Sequence, residues 1–193
     1  MKKLMFVLLL PFFMPVFAQK WAKEYDFVND LSNGVSLVKK SGKYGFVNKD
    51  GKVVVPLVYD ESSTMSEGYA PVRKGDVWGY VDSLGNITIE PKFEDALCFH
   101  DGLAAVKRNN KWGFINFQGK EIIPLTFDNA RGFHEQLAAV ANAKGYWGFI
   151  DTNGKLVIPY MCHHAESFMD GVAKVMKGEK TIYINRYNAV VQQ

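Results

Sequence analysis

An all-β chain of tandem repeats, each of about 34 residues, is the fold class this sequence predicts. Three observations carry it. An aromatic–glycine pair returns as Tyr44-Gly45, Trp78-Gly79, Trp112-Gly113 and Trp147-Gly148, at steps of 34, 34 and 35. Aromatic residues make up 14% of the chain and glycine occurs 17 times, a mixture that suits strands and turns. No stretch of ten residues shows an apolar stripe at helical spacing, so little helix is expected.

The 193 residues, 48% apolar and 22% charged, fall in the soluble globular class and can bury one sizeable core. The first eighteen stand apart. Lys2 and Lys3 form a positive start, residues 4–13 an apolar run, and Val16-Phe17-Ala18 a small-residue cleavage site. Pro11 and Pro15 interrupt the apolar run, which is too short to span a membrane. The expectation is a signal peptide over 1–18, removed after Ala18, with export to the periplasm, the cell surface or the medium. No cysteine follows the cut, so no lipid anchor is implied. Loss of Lys2 and Lys3 lowers the formal charge from +3 to +1. A near-neutral chain has no electrostatic footprint for nucleic acid.

From residue 19 onward the chain reads as one array. A partial unit covers 19–33. Full units follow at 34–67, 68–101, 102–135 and 136–170, and a degenerate unit closes 171–193. Three further series keep the same phase: Gly51, Gly85, Gly119 and Gly154; Pro56, Pro91, Pro124 and Pro159; Ala70, Ala104, Ala138 and Ala173. Degenerate terminal units are what caps of an array look like. Asn188 stands where the turn glycine belongs, and Asn is the next-best residue for a positive φ.

Each unit predicts three short strands, at 102–107, 111–117 and 121–123 in the third. Between the last two, Asn or Asp followed three residues later by Gly predicts a type I turn closing on a left-handed residue. Proline is expected to end the third strand, since it donates no ladder bond. The stretch after it, such as 127–133, reads as loop or helical turn. Within a strand, Trp147 and Phe149 share one face while Gly148 and Ile150 share the other. A glycine inside a strand marks close approach of another backbone; a neighbouring repeat is the expected visitor, with the aromatics as packing.

The strings KYGFVNKDGKVVVP, VWGYVDSLGNITIEP, KWGFINFQGKEIIP and YWGFIDTNGKLVIP resemble the WG-repeat family, also described as WG-containing or KWG repeats. The resemblance covers nearly all of the chain after residue 18. Two copies depart from it: Tyr44 replaces Trp in the first, and Ile182-Tyr183 stands for Trp-Gly in the last. The resemblance implies a β-rich bacterial repeat protein, often exported, and supplies no catalytic residues to transfer.

Residues able to do chemistry are few. Cys162, His163, His164 and Glu166 are metal-ligand types, but adjacent histidines in a strand point to opposite faces. His100 and His134 occupy one phase, each followed by an acid, Asp101 or Glu135; stacked repeats would make them neighbours. Asp50, Asp82 and Asp151 sit at the turns but lack the dense carboxylate spacing of a calcium loop. Cys98 and Cys162 lie at different phases and read as free, buried thiols rather than a bridge. No phosphate loop, nucleophile elbow or zinc-protease motif is present.

The reading is a stack of β units in an elongated or superhelical array, with a closed propeller-like ring as the alternative. Its expected work is non-catalytic binding or scaffolding of another protein, without cofactor. Two other readings stay open: a glycan-binding module using Trp78, Trp112 and Trp147 as an exposed row, and a metal-dependent enzyme at Cys162/His163 or His100/His134. The expected contact surface is the variable segments 61–66, 95–100, 129–134 and 164–169, with the gaps 73–76, 107–110 and 141–145.

Overall fold

In the computed structural model of the chain, residues 20–191 are described, so the leader expected over 1–18 lies outside the described residues. Those residues form five antiparallel sheets, each of four strands whose order in space is their order in sequence. Sheets 1 to 5 cover 27–59, 61–93, 95–127, 129–162 and 164–191. Sheet 3 is typical, with strands Asp95–Ala96, Ala104–Arg108, Lys111–Ile115 and Glu121–Phe127. A short 3₁₀ turn, Lys20–Glu24, precedes sheet 1.

The unit therefore has four strands, not three. The extra one is the two-residue first strand, drawn from the stretch expected to be loop or helical turn. In sheet 3 it pairs Ala96 with Val106 and Asp95 with Lys107. Local sequence hides it because two residues show no alternation; tertiary pairing alone defines them.

The sheets stack face to face in sequence order, and the alternation of side chains decides which residues meet. In sheet 4, Trp147, Phe149 and Ile158 point toward sheet 5, where Phe168, Ala173, Val175 and Ile184 complete one core cluster. Ile150, Ala138 and Val140 point the other way, into the cluster with Leu103, Phe114 and Ile123 of sheet 3. The Trp147/Phe149 and Gly148/Ile150 division thus follows the strand alternation. Comparable clusters join sheets 1 and 2 and sheets 2 and 3. Among the described residues, no core cluster joins sheet 5 back to sheet 1. Up-and-down sheets of four strands packed this way are propeller blades in form, while their core contacts run in series.

Packing sets the residue pattern of each unit. Alanines at 70, 104, 138 and 173 are fully buried where adjacent sheets meet. The phenylalanines at 99, 133 and 168, with Met65, come from the segment between the first and second strands of each sheet, and all four are buried. This narrows the expected contact surface: within 61–66, 95–100, 129–134 and 164–169 the apolar positions such as Met65, Ala96, Phe99, Phe133 and Phe168 fill the core, while Glu61, Asn129, His164, Glu166 and Met169 stay exposed.

Three further expectations are corrected. First, the glycine of each aromatic–glycine pair is approached by the fourth strand of its own sheet, not by a neighbouring repeat. A Cβ on Gly113 would lie 2.6 Å from the Ile123 carbonyl oxygen, and one on Gly148 would lie 2.6 Å from that of Ile158. Second, proline does not end a strand. Pro56, Pro91, Pro124 and Pro159 lie inside the fourth strands Val53–Tyr59, Ile87–Phe93, Glu121–Phe127 and Leu156–Cys162. There the register jumps: Trp147 pairs with Cys162 but Phe149 with Ile158. This bulge presses the fourth strand onto the glycine, and proline is tolerated because the strand is an edge and the ladder is already broken. Third, pairing of Ala173 with Ile184 matches that of Ala138 with Ile150, so Thr181-Ile182 stands in the Trp-Gly place and not Ile182-Tyr183.

The turn glycines make the contact between repeats. Gly85 faces the Val54 carbonyl of sheet 1; Gly119 and Gly154 face the side chains of Ile89 and Ile123, each in the preceding sheet. Among the described residues no sheet precedes that of Gly51, which instead faces the indole of Trp21. Trp21 lies 34 residues before Val55, the repeat position of Ile89 and Ile123, so the 3₁₀ turn supplies a one-residue substitute for a missing sheet.

Candidate functional site in the turns between repeats

The turn joining first and second strands recurs as Ser32–Val35, Ser66–Tyr69, His100–Leu103, His134–Leu137 and Met169–Val172, closed by backbone bonds at both ends. Both central residues have positive φ, for example Asp101 at 52° and Gly102 at 78°. That is a type I′ hairpin, whose twist suits the strands. In sheet 4 the pair is Glu135 at 54° and Gln136 at 66°, where a non-glycine residue holds the strained second position.

The acid in this turn reaches forward along the stack. The Glu67 carboxylate accepts the Gly102 N–H at 3.1 Å, that of Asp101 accepts the Gln136 N–H at 2.8 Å, and that of Glu135 accepts the Gly171 N–H at 3.1 Å. The residue before the acid does the same by another route: the hydroxyls of Ser32 and Ser66 donate to the carbonyls of Met65 and Phe99. Sheets 3 and 4 place His100 and His134 there. Their rings stack at 4.4 Å between centroids with a 33° tilt. The adjacency expected from phase is present. Burial first, and the neighbouring His134 second, hold the His100 imidazole below its ordinary pKa.

A second tier of turns, between second and third strands, lies at the opposite end of the sheets. In sheets 1, 2, 3 and 5 the turn is held by an acceptor just before the first strand of the same sheet. Asp26 accepts the Ser41 N–H, Asp60 the Gly75 N–H, and Glu94 the Asn110 N–H. His163 does this through Nδ1 for the Gly178 N–H at 3.0 Å, which leaves the ring proton on Nε2. In sheet 4 this turn is one residue longer, which makes the 35-residue step, and it closes on its own Asn142 instead.

The other nominated residues separate. The Cys162 side chain is buried in the core between sheets 4 and 5. His164 lies beside Arg131, whose guanidinium donates to the Ala165 carbonyl at 2.6 Å and covers the Trp147 ring at 5.5 Å. Among the described residues, no three His, Cys, Asp or Glu side chains converge as a metal group would. Cys98 and Cys162 are unbridged, and burial raises both thiols; Cys98 is only half-buried. Asp82 and Asp151 bond the backbone N–H groups of their own turns, as Asn48 and Asn116 do. An amide oxygen serves there as well as a carboxylate, so the requirement is turn geometry and not a cation.

The aromatic row required for a glycan platform is not on the surface. Trp112 is 7% and Trp147 9% exposed, Trp78 is half-buried, and Arg73 lies over the Trp78 ring. Sequence reasoning missed Arg131 and Trp21. Arg131 stands at a variable position, with Ser63, Leu97 and Glu166 in other repeats, so the repeat pattern carries no signal for it.

Fold and turns together define a tandem array of blade-like β sheets tied by turn-to-turn bonds. The chain belongs to the WG containing repeat family, which matches it over residues 22–44, 44–78, 78–112, 112–146 and 147–180. Comparison with curated proteins gave no match. Among solved structures it is similar in fold to Kluyveromyces lactis Hsv2p, with 14% identity and a TM-score of 0.57, over 86% of this chain and 63% of that one. It is also similar to the computationally designed Ika8 protein, with 12% identity and a TM-score of 0.54, over 82% of this chain and 57% of that one. The chain thus spans less than two thirds of these structures, and the likeness is one of fold.

Proposed function

We propose that this chain is a non-catalytic binding or scaffolding module, exported by its N-terminal segment, that engages another protein outside the cytoplasm. The carrying observation is where its polar side chains are used. Ser32, Ser66, Asp60, Glu67, Asp101 and Glu135 are all committed to bonds between repeats. What varies and stays open is the tips of the turns between second and third strands, at 74–77, 109–110 and 142–145. A stack with a fixed interior and variable turns is the pattern of repeat scaffolds, which bind through extended surfaces.

Two shallow cavities of about 430 and 340 Å³ occur near the two ends of the stack, the first lined by Tyr25, Lys40 and Leu57, the second by Glu166, Lys174 and Tyr183. Neither contains histidine or cysteine. The test is capture of envelope and extracellular proteins by the chain from residue 19 onward, set against the same chain altered at Lys74, Asp76 and Lys144. The reading expects a specific protein whose capture is lost in the altered chain. Binding to a glycan array with no protein captured would overturn it.

A further inference from the structure

We propose that the joint between sheets 3 and 4 is a pH-sensitive hinge, set by the stacked imidazoles of His100 and His134. At the two preceding joints a serine hydroxyl, on Ser32 and Ser66, bridges to the next repeat at 2.9 and 2.6 Å. An O–H bond of this kind keeps its strength across the physiological range of pH. At the third joint two imidazoles at 4.4 Å replace the bridge. Neutral rings at that distance attract; two imidazolium ions repel.

The surroundings permit one charge and oppose two. Glu67 on the preceding turn and Asp101 on the same turn face His100 and favour its protonation, while His134 on the following turn and partial burial oppose it. Glu135 adjoins His134 in sequence, but its carboxylate is held by the Gly171 N–H. Asp101 likewise is held by the Gln136 N–H. The first proton is thus shared and tolerated. The second places two like charges on rings 4.4 Å apart, against the pull of these carboxylates, and drives the turns at 100–103 and 134–137 apart, while the core of Leu103, Phe114, Phe133 and Val140 still holds the sheets beneath. The hinge opens the third joint at the His end and leaves the serine-bridged joints closed. It alters the relative position of turns on the two halves of the array, so acidity regulates whatever surface spans them.

Sign and window follow from the direction of the His100 shift. Its folded pKa lies below the ordinary value of 6.5, so between those two values the unfolded or opened form binds more protons. Closure is complete above that ordinary value and is lost as pH falls through the folded one.

The experiment is hydrogen exchange of the folded chain at about pH 7 and about pH 5, corrected for intrinsic rates. It compares the natural chain with His100→Ser, which places at the third joint the residue that bridges the first two. The expected result is loss of protection at 100–103 and 134–137 in acid in the natural chain only, with 32–35 and 66–69 unchanged in both. Equal protection at both pH values, or the same loss in the variant, overturns the hinge. Should the variant not fold, a proton titration of the natural chain decides. Two separated imidazole steps support the hinge, and two independent histidines at ordinary values refute it.

Discussion

Replacing Gly148 by alanine tests the reading of the aromatic–glycine pair quantitatively. In an ordinary strand this change stabilises by about 0.5–1 kcal/mol, because glycine loses more backbone freedom on folding. Here the new Cβ meets the Ile158 carbonyl oxygen at 2.6 Å and the Pro159 carbonyl carbon at 3.0 Å. Ordinary contact begins at 3.4 Å, and backbone cannot swing aside as a side-chain end can. The fourth strand must retreat by roughly 0.5–1 Å. That strains its pairing of Phe149 with Ile158 and shifts Ile158 and Cys162 in the core against sheet 5. One weakened ladder bond costs about 1 kcal/mol and a displaced core residue about 1–3, so the net loss is about 2–3 kcal/mol after the entropic gain. Gly132→Ala is the control. Gly132 is also buried, yet its Cβ meets only the His100 ring, at 3.8 Å, so the change is neutral or slightly stabilising. Urea midpoints at constant m-value measure both. If Gly148→Ala is as stable as Gly132→Ala, close backbone approach is not the reason for the glycine.

Three further outcomes follow from the contacts. Trp21→Ala removes the stand-in for a missing sheet over Gly51, costing about 2 kcal/mol for a half-buried indole and raising hydrogen exchange at 43–52 more than in sheets 4 and 5. Arg131→Gln loses the 2.6 Å bond to Ala165 and the cation over Trp147, lowering stability by about 1–2 kcal/mol, with faster exchange in sheet 5 read by mass spectrometry. Asp60 is held below its ordinary pKa of 3.8 by the Lys43 hydrogen bond first and the Gly75 N–H second. Its contribution is complete above that value and is lost as pH falls through the lower folded one, so melting temperatures of the natural chain and Asp60→Asn differ near neutrality and converge in strong acid.

Much of the fold was legible because the repeat itself is the signal. Alternation in the WGFI strings assigned Trp147 and Phe149 to one core and Ile150 to the other, and phase alone brought His100 to His134. The first strand of each sheet was not legible, since two residues such as Asp95 and Ala96 carry no period. Proline was misplaced because its missing donor reads equally as a strand end or as a bulge on an edge, and only the register shift opposite Gly148 distinguishes them. The segment ending in Phe99 or Phe133 varies along the chain and so looked like surface; its apolar residue at one phase was the sign of burial. Arg131 and Trp21 act at single joints, and a repeat pattern averages such residues away.

The central claim is that the repeated aromatics hold the array together and are not a ligand platform. Acrylamide quenching of a chain carrying Trp21→Phe and Trp78→Phe, which leaves Trp112 and Trp147 as the emitters, tests it most directly. Emission shifted to shorter wavelength and strongly protected from quencher is the predicted result for indoles 7% and 9% exposed. Emission at the wavelength of free tryptophan, quenched as readily as free tryptophan in the folded chain, would contradict it.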